Sequence, residues 1–308
     1  MVNVLLFPGQ GAQRVGMAKD LAAAFPEARK TLDAIDAGLD HPITPTMWDG
    51  PDEMLQETEN AQPAILAHSA AVLAAVGERL APVAGAAGHS LGEYSAYHAA
   101  GALSAVEAAR LVRARGRLMR DAGSRRAGAM SAVLGLGSEA VERICGEASM
   151  DSETVVAANL NTKDQTVISG DPAAVDRAGK RCKDAGARRV QPLKVSGAFH
   201  SPLMGPAASG LRTVLGDAPF EEPRFPVVAN ATAEPVRTAR DARRLLEEQL
   251  TAPVRWMECV ERLAGLSPEV RFIEIGPGTV LGGLLKRILP EPHYVSLGTA
   301  EEVGRFLG

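Results

Sequence analysis

Apolar runs alternate with segments of helical periodicity through the first 100 residues. Val2–Phe7 is a continuous apolar run ended by a Pro-Gly pair, a pattern typical of a strand buried on both faces. Helices are predicted at about 17–37 and 63–80, the second with Pro63 as its first residue. A weaker strand at 83–87 leads into an alanine-rich helix. Strands that alternate with helices predict a mainly parallel α/β sheet.

The pattern changes after the next helix. That helix begins at the capping-box sequence Ser104-Ala105-Val106-Glu107 and is predicted to end near Ala122. The following segment has the order β-α-β-β-α-β, which is ferredoxin-like. Its strands are predicted at 129–136, 155–158, 165–169 and 189–195, and its helices at Ser138–Ala148 and from Asp171-Pro172 onward; the α/β pattern then resumes with strands at 227–231, 271–275 and 294–297.

The chain length agrees with two domains. At roughly 150 residues per domain, 308 residues suggest two units or one large unit with an insertion. We expect residues 1–123 and 196–308 to form a large α/β domain, and residues 124–195 to form a small ferredoxin-like domain inserted into it.

Composition excludes several classes of protein. A net charge of −4 and 4% aromatic residues argue against a general nucleic-acid binder. Cys145, Cys182 and Cys259 are far apart, so we expect reduced thiols, with neither a disulfide framework nor a zinc site. No basic region precedes the first apolar run, and no apolar stretch approaches the ~20 residues of a membrane helix. A cytoplasmic protein is expected.

A glycine-flanked serine follows the second predicted strand. Gly88-His89-Ser90-Leu91-Gly92 is a G-x-S-x-G sequence between strand and helix, where a sharp turn exposes the serine hydroxyl. The backbone N–H of Leu91 could stabilise an oxyanion at the start of that helix. The same letters can arise by chance in a chain with 31 glycines. The strand-to-helix context favours Ser90 as a nucleophile.

A serine nucleophile needs a base, because its hydroxyl is a poor nucleophile at neutral pH. Of six histidines, His200 follows the end of a predicted strand, where loops line the ligand crevice of an open α/β sheet. The other five lie in helices, in a proline-flanked loop, beside a late strand or within the serine turn itself. His200 is the predicted base, with a purely structural loop histidine as the alternative.

Arg115 lies in the middle of an apolar helix face. Leu111 and Val112 precede it by four and three residues, and Leu118 and Met119 follow it by three and four. A guanidinium on such a face must be paired with an anion, and its fork suits a carboxylate. Two hypotheses stay open, an internal salt bridge and a clamp for a substrate carboxylate. The other arginines of this helix, Arg110, Arg113, Arg117 and Arg120, are expected to reach solvent.

Two glycine-containing turns follow predicted strands. Residues 7–13 (F-P-G-Q-G-A-Q) fail the dinucleotide fingerprint G-x-G-x-x-G because Arg14 takes the place of its last glycine. This turn offers backbone and amide donors. No phosphate-binding P-loop sequence occurs in the chain, and Gly276-Pro277-Gly278 is predicted to be architectural.

Taken together, these motifs resemble the malonyl-CoA:acyl-carrier-protein transacylase family of fatty acid and polyketide synthesis. The resemblance runs nearly end to end. It implies a hydrolase-like α/β domain with the inserted ferredoxin-like domain, and transfer of a malonyl group through a seryl acyl-enzyme. The matching motifs, in order, are residues 7–13, 88–95 (G-H-S-L-G-E-Y-S), Arg115-Gly116, 197–204 (G-A-F-H-S-P-L-M), Gln249 before 253–256 (P-V-R-W), and 274–278.

The resemblance also implies roles for individual residues. Ser90 would be the acylated nucleophile and His200 its general base, with backbone carbonyl groups near Gln249 orienting the imidazole. The backbone N–H groups of Gln10 and Leu91 would form the oxyanion hole.

Three further residues would contact the substrate or the cleft. Arg115 would hold the free carboxylate of the malonyl group, and Asn159 would face the cleft from the small domain. Phe199 resembles the malonyl-selective pattern of polyketide acyltransferases, because its ring would crowd an α-methyl group. Discrimination by one methyl group is worth only ~1–3 kcal/mol, so a substituted malonyl unit is not excluded.

The resemblance implies an acyl carrier protein and malonyl-CoA as partners of a monomeric enzyme, with no metal or redox cofactor. Fatty acid and polyketide pathways both stay open. A carrier protein is acidic, so a basic docking patch is expected, although ordinary solvated charges explain the same residues. The residues of that patch would be Arg125, Arg126, Lys180, Lys183, Arg188 and Arg189.

Three rival functions remain. A thioester acylhydrolase on the same fold is the nearest, but a hydrolase that removes groups without a carboxylate would not need Arg115. An esterase of Ser-Asp-His order would need an acid between Ser90 and His200, and the candidates all lie in the predicted insertion: Asp151, Asp164, Asp171, Asp176 and Asp184. A non-catalytic docking module would not need Ser90, His200 and Arg115 together.

Overall fold

Ten strands form two separate sheets in the computed structural model, which describes all 308 residues. The larger sheet has the order β10-β9-β1-β2-β7-β8, and its pairs are parallel except at the β7–β8 edge. The smaller sheet is antiparallel, with the order β4-β5-β3-β6. The mixed α/β fold class is therefore confirmed. The strands are β1 (Val2–Phe7), β2 (Val83–Gly88), β3 (Ala129–Leu134), β4 (Val155–Thr162), β5 (Gln165–Gly170), β6 (Arg189–Pro192), β7 (Val227–Val228), β8 (Pro235–Val236), β9 (Val270–Ile275) and β10 (His293–Leu297).

Fourteen α-helices connect and cover these strands. Two 3₁₀ turns accompany them, at Gly77–Leu80 and Pro202–Met204. The helices are α1 (Lys19–Ala24), α2 (Pro26–Gly38), α3 (Thr44–Asp49), α4 (Asp52–Gln56), α5 (Thr58–Val76), α6 (Gly92–Ala99), α7 (Ala105–Arg125), α8 (Ser138–Ala148), α9 (Pro172–Asp184), α10 (Gly205–Asp217), α11 (Ala239–Glu248), α12 (Trp256–Ala264), α13 (Val280–Ile288) and α14 (Ala300–Leu307).

Two predicted helices were wrong in their bounds. The segment at 17–37 is two helices, because Pro26 holds Phe25 in an extended conformation (φ −127°, ψ 112°). The helix predicted to start at Pro63 begins five residues earlier, at Thr58. Pro63 has no N–H for the carbonyl group of Glu59, and that carbonyl group instead accepts a hydrogen bond from Arg113 (3.2 Å). A long-range contact thus lets proline sit inside the helix.

The large sheet is buried on both faces. Leu5 and Phe7 pack into the main core on one face, while Val4 and Leu6 pack into a second core on the other. Because successive strand residues point to opposite faces, β1 reads as a continuous apolar run. The four-stranded sheet has a core of its own with α8 and α9. The predicted domain boundaries at 124 and 195 stay predictions.

Strand β4 of the small sheet lies against the loop before α12. The backbone N–H of Leu160 donates to Val254 (2.9 Å), and the N–H of Val254 donates to Ala158 (2.8 Å). These bonds set one wall of a cleft above the carboxyl ends of β1 and β2. No helix is long and apolar enough to cross a membrane.

Candidate active site

Ser90 lies on the sharp turn between β2 and α6. Its φ of 53° is in the left-handed region, which a non-glycine residue adopts at some cost in strain. The glycines on either side permit the turn, because a Cβ on Gly88 would overlap the backbone of Gly92, and a Cβ on Gly92 would overlap the carbonyl oxygen of Phe7. The G-x-S-x-G sequence therefore forms a strained elbow that holds the serine at the floor of the cleft.

His200 is within hydrogen-bond distance of this serine. Its Nε2 lies 2.8 Å from Ser90 Oγ, and its Nδ1 lies 2.8 Å from the carbonyl oxygen of Gln249. A carbonyl oxygen only accepts, so Nδ1 carries the hydrogen and Nε2 is left to accept the serine proton. Burial and the nearby charge of Arg115 lower the pKa of His200 to about 3, so the imidazole is a neutral base at physiological pH.

No acidic side chain accepts from His200. Its Nδ1 contacts the Gln249 carbonyl group instead of an aspartate, so the alternative of a Ser-Asp-His esterase is wrong. The described residues also include no group of three His, Cys, Asp or Glu side chains that could hold a metal ion.

The backbone amides around the elbow have different partners. The N–H of Ser90 donates to Asn230 Oδ1 (2.7 Å), so it is already occupied. The N–H groups of Gln10 and Leu91 donate to no acceptor in the protein, and both residues line the cleft. The turn at 7–13 is braced by its own side chains, since Gln13 Oε1 accepts from the N–H of Gly11 (2.7 Å). Two free amides thus lie near the serine hydroxyl.

Arg115 is 1% exposed and reaches the serine from α7. Nη1 donates to Gln62 Oε1 (2.8 Å), and Nη2 donates to Ser90 Oγ (3.0 Å) and to Gln249 Oε1 (2.9 Å). These three acceptors are neutral, and no Asp or Glu oxygen is within ion-pair distance. The internal salt bridge, one of the two open hypotheses, is therefore wrong. The guanidinium is a buried cation without a contacting anion.

Sequence reasoning missed three side chains of the site, namely Gln62, Glu93 and Asn230. All three are 0% exposed. Glu93 lies within the G-H-S-L-G-E-Y-S motif, so its position was visible, but its contacts were not. Gln62 and Asn230 come from distant segments, and no local pattern marks them.

The remaining predicted residues line the cleft, which has a volume of about 390 Å³. Phe199 and Asn159 are both 6% exposed and both face it, the first beside His200 and the second from β4. The neighbouring Asn161 accepts a hydrogen bond through Oδ1 from His89 Nε2 (2.9 Å). Gly276 approaches Pro8 closely, in agreement with an architectural turn.

Two arginines outside the cleft, Arg113 and Arg126, have surroundings different from those expected. Arg113 was expected to reach solvent but is 5% exposed, because it turns inward to the first turn of α5. Within the predicted basic patch, Arg126 is bound to Asp171 through two nitrogens (3.0 and 2.8 Å) and is not free for a partner. Arg125, Lys180, Lys183, Arg188 and Arg189 are exposed and form no ion pair, so the patch stays a prediction in reduced form.

Known proteins that are similar to this chain match it over nearly its whole length. Residues 4–303 match the family model described as an acyl transferase domain. A relative from Bacillus subtilis (strain 168), named malonyl CoA-acyl carrier protein transacylase, is 42% identical over 298 residues, which cover 97% of this chain and 94% of the relative.

Solved structures agree as well. One is a type II polyketide synthase acyl-carrier protein in complex with its malonyl-transacylase, with a TM-score of 0.94, 40% identity, and coverage of 100% of this chain and 99% of that chain. An acyl carrier protein S-malonyltransferase from Vibrio cholerae O1 has a TM-score of 0.93 and 39% identity, with 99% of each chain covered.

Proposed function

The chain belongs to the acyl transferase domain family, and from that premise we propose how its own residues carry the activity. It is an acyltransferase of the acyl-carrier-protein S-malonyltransferase type, which moves a malonyl group from malonyl-CoA to the phosphopantetheine thiol of an acyl carrier protein. Ser90 is the nucleophile, His200 the general base, and Arg115 the group that recognises the malonyl carboxylate. The pathway is fatty acid or polyketide synthesis.

The single observation that carries this assignment is the position of Arg115. Its Nη2 lies 3.0 Å from the hydroxyl that would carry the acyl group, and no protein carboxylate contacts it. A buried cation without a contacting anion is unfavourable, and a ligand that brings a carboxylate removes the penalty. The malonyl group has its carboxylate two bonds from the thioester carbonyl carbon. A reactive carbon at Ser90 therefore places the carboxylate beside the guanidinium.

Acylation uses the contacts already described. Ser90 gives its proton to His200 Nε2 while Oγ attacks the thioester carbon, and the resulting oxyanion accepts from the N–H groups of Gln10 and Leu91. When the tetrahedral intermediate collapses, the C–S bond breaks and CoA leaves as a thiol with the proton from His200. The Gln249 carbonyl group holds the imidazole in the required tautomer throughout.

Transfer to the carrier repeats these steps in reverse. The pantetheine thiol gives its proton to His200 and attacks the acyl carbon, after which Ser90 leaves and regains the proton. Only acyl and proton transfers occur, so the proposal needs no metal or redox cofactor.

Residues 124–195 form the small domain that provides one cleft wall, with Asn159 facing the substrate. Residues 1–123 and 196–308 form the catalytic domain.

The experiment that tests this function is intact-protein mass measurement after mixing with malonyl-CoA, methylmalonyl-CoA or acetyl-CoA, with and without a holo carrier protein. We expect a malonyl adduct on the wild-type protein, none on Ser90→Ala, and discharge of the adduct onto the carrier. Loss of the adduct to water at the same rate with and without carrier would instead assign a thioester hydrolase.

A further inference from the structure

The buried charge of Arg115 is not compensated by the groups that contact it. All three of its hydrogen-bond acceptors are neutral, and its Nε has no partner. A guanidinium cannot lose its proton at physiological pH, so the charge has to be compensated by something further away. In the free enzyme no substrate carboxylate is present to do this.

Glu93 is the acidic side chain nearest to this arginine through hydrogen bonds. It lies on α6 and is 0% exposed. Its Oε2 accepts from Gln249 Nε2 (2.8 Å), and the Oε1 of the same Gln249 amide accepts from Arg115 Nη2 (2.9 Å). One amide group therefore lies between the cation and the carboxyl group, with its oxygen toward the cation and its nitrogen toward the acid.

We infer that Glu93 is the counter-charge of Arg115, held one amide away by Gln249, so that the buried positive charge is compensated while the guanidinium edge stays open to a substrate carboxylate. Glu93 is a positioning residue, because it acts through Gln249 and touches no reacting atom. The part of this inference that concerns substrate rests on the proposed function. The coupling between the two charges does not.

The orientation of the Gln249 amide supports this arrangement. An amide that accepts from a cation at one end and donates to an acid at the other is polarised by both, which strengthens both hydrogen bonds. The second hydrogen bond to Glu93 Oε2 comes from the backbone N–H of Asn230 (2.9 Å). Glu93 thereby also fixes the residue whose side chain holds the amide of Ser90.

A direct salt bridge would serve the substrate less well. A carboxylate of the protein bound to both guanidinium nitrogens would have to be displaced before a malonyl carboxylate could bind. Burial raises the pKa of Glu93 to about 7, and the hydrogen bonds from Asn230 and Gln249 and then the charge of Arg115 oppose that rise. The other titratable groups facing Glu93 are Tyr94, Tyr97 and Cys259, whose pKa values burial raises, so they are uncharged.

The test measures the thermal unfolding of variants at pH 8, where Glu93 is ionised, and needs no substrate. Glu93→Gln is made in three backgrounds, with Arg115, Arg115→Met and Arg115→Lys. We expect Glu93→Gln to lower the unfolding temperature by about 3 °C more with Arg115 than with Arg115→Met, which has no charge to compensate. The Arg115→Lys background keeps the charge and should keep the difference. Equal shifts in all three backgrounds would overturn the inference.

A second measurement examines the consequence for substrate, in Ser90→Ala proteins that cannot turn over. Without the negative charge of Glu93, Arg115 attracts the malonyl carboxylate more strongly. Glu93→Gln should therefore tighten malonyl-CoA binding roughly three- to tenfold and leave acetyl-CoA binding unchanged, as measured by calorimetry. Unchanged or weaker malonyl-CoA binding would overturn the role in recognition. If malonyl-CoA fails to bind the Ser90→Ala protein at all, the proposed function fails, while the unfolding series still decides whether Glu93 and Arg115 are coupled.

Discussion

Two buried arginines, two residues apart on α7, have different surroundings. Arg113 donates to the carbonyl group of Glu59 (3.2 Å) and to Asn60 Oδ1 (2.6 Å) in the first turn of α5, and to the carbonyl group of His41 (3.3 Å) between α2 and α3. Arg115 donates to three side chains that surround the serine hydroxyl. Burial lowers the pKa of both guanidinium groups, so burial alone does not separate them.

The hydrogen-bond acceptors of Arg113 and Arg115 distinguish the two residues. Arg113 satisfies backbone carbonyl groups, one of which Pro63 leaves without a helical donor, so its removal should weaken the fold. Arg115 contacts side chains that line the cleft, so a ligand can replace or add to its partners. A buried cation is thus evidence for a binding site only when its hydrogen bonds face a cavity.

The largest expected effect is at the serine that Arg115 contacts. Ser90→Ala removes the proposed nucleophile and should lower malonyl transfer roughly 10⁴-fold or more, since the proposed base alone cannot form an acyl-enzyme. The measurement is radiolabel from malonyl-CoA retained on the protein after denaturation. Label of wild-type stoichiometry on Ser90→Ala would show that another residue is acylated.

Replacing Arg115 should come next in size. Arg115→Met leaves the malonyl carboxylate without a partner and should lower kcat/KM for malonyl-CoA about 100- to 1,000-fold, with less than about threefold change for acetyl-CoA. Arg113→Met is the matched control and should leave the ratio of the two substrates unchanged. Equal losses for both substrates in Arg115→Met would make Arg115 as structural as Arg113.

For stability the order of the two arginines should be reversed, so that Arg113→Met lowers the free energy of unfolding more than Arg115→Met does. Arg113→Met leaves the Glu59 carbonyl group without a donor, so we expect a loss of about 1–3 kcal/mol in the free energy of unfolding. Urea denaturation measures it. A variant as stable as wild type, with the malonyl-to-acetyl ratio altered, would contradict the division of roles between Arg113 and Arg115.

Acid should weaken the fold partly through His200. Burial and Arg115 lower its pKa to about 3, and burial lowers that of His68 to about 4, whereas both titrate near 6.5 when unfolded. The unfolded chain therefore takes up protons first, and stability is complete above pH 6.5 and lost as pH falls toward 3–4. The raised pKa of Glu93 acts in the opposite direction between pH 4.5 and 7.

This pH dependence separates the cleft histidine from the core one. We expect His200→Gln to flatten the slope of unfolding free energy against pH between 4.5 and 6.5. The slope that remains comes from His68, His89 and His98, whose pKa values burial also lowers. Urea denaturation at several pH values measures both. An unchanged slope in His200→Gln would mean that His200 is protonated in the folded protein over that range.

The smallest expected effect concerns the residue before the base. Phe199→Ser should raise the ratio of methylmalonyl to malonyl transfer about tenfold, because removal of the ring makes room for an α-methyl group worth ~1–3 kcal/mol. Competition between the two CoA thioesters measures the ratio. A ratio that does not move would assign the methyl discrimination to another part of the cleft wall.

Local features of the sequence determined much of the molecule. The run Val2–Phe7 predicted a strand buried on both faces, and Ser138–Ala148 was predicted as a helix with the bounds that the structure has. The elbow at Ser90 was readable because a glycine-flanked serine between strand and helix shows in five consecutive residues, although the packing of Gly92 against Phe7 does not. Periodicity and glycine placement act over a few residues, so they can be read without knowing what packs nearby.

Tertiary structure decided which side chains surround the serine. Gln62 and Asn230 lie 28 and 140 positions from Ser90 along the chain, and nothing local distinguishes them from other amides. Gln249 is implied by the family resemblance, but its contact with Ser90 across 159 positions depends on the fold. It also decided the contrast between the arginines. Helical spacing placed Arg115 on the apolar face, but Arg113 is buried by its hydrogen bonds to the first turn of α5, where Pro63 leaves the Glu59 carbonyl group without a helical donor. Hydrogen bonds between distant segments depend on the packing of α7 against α5, and that packing is set by the whole core.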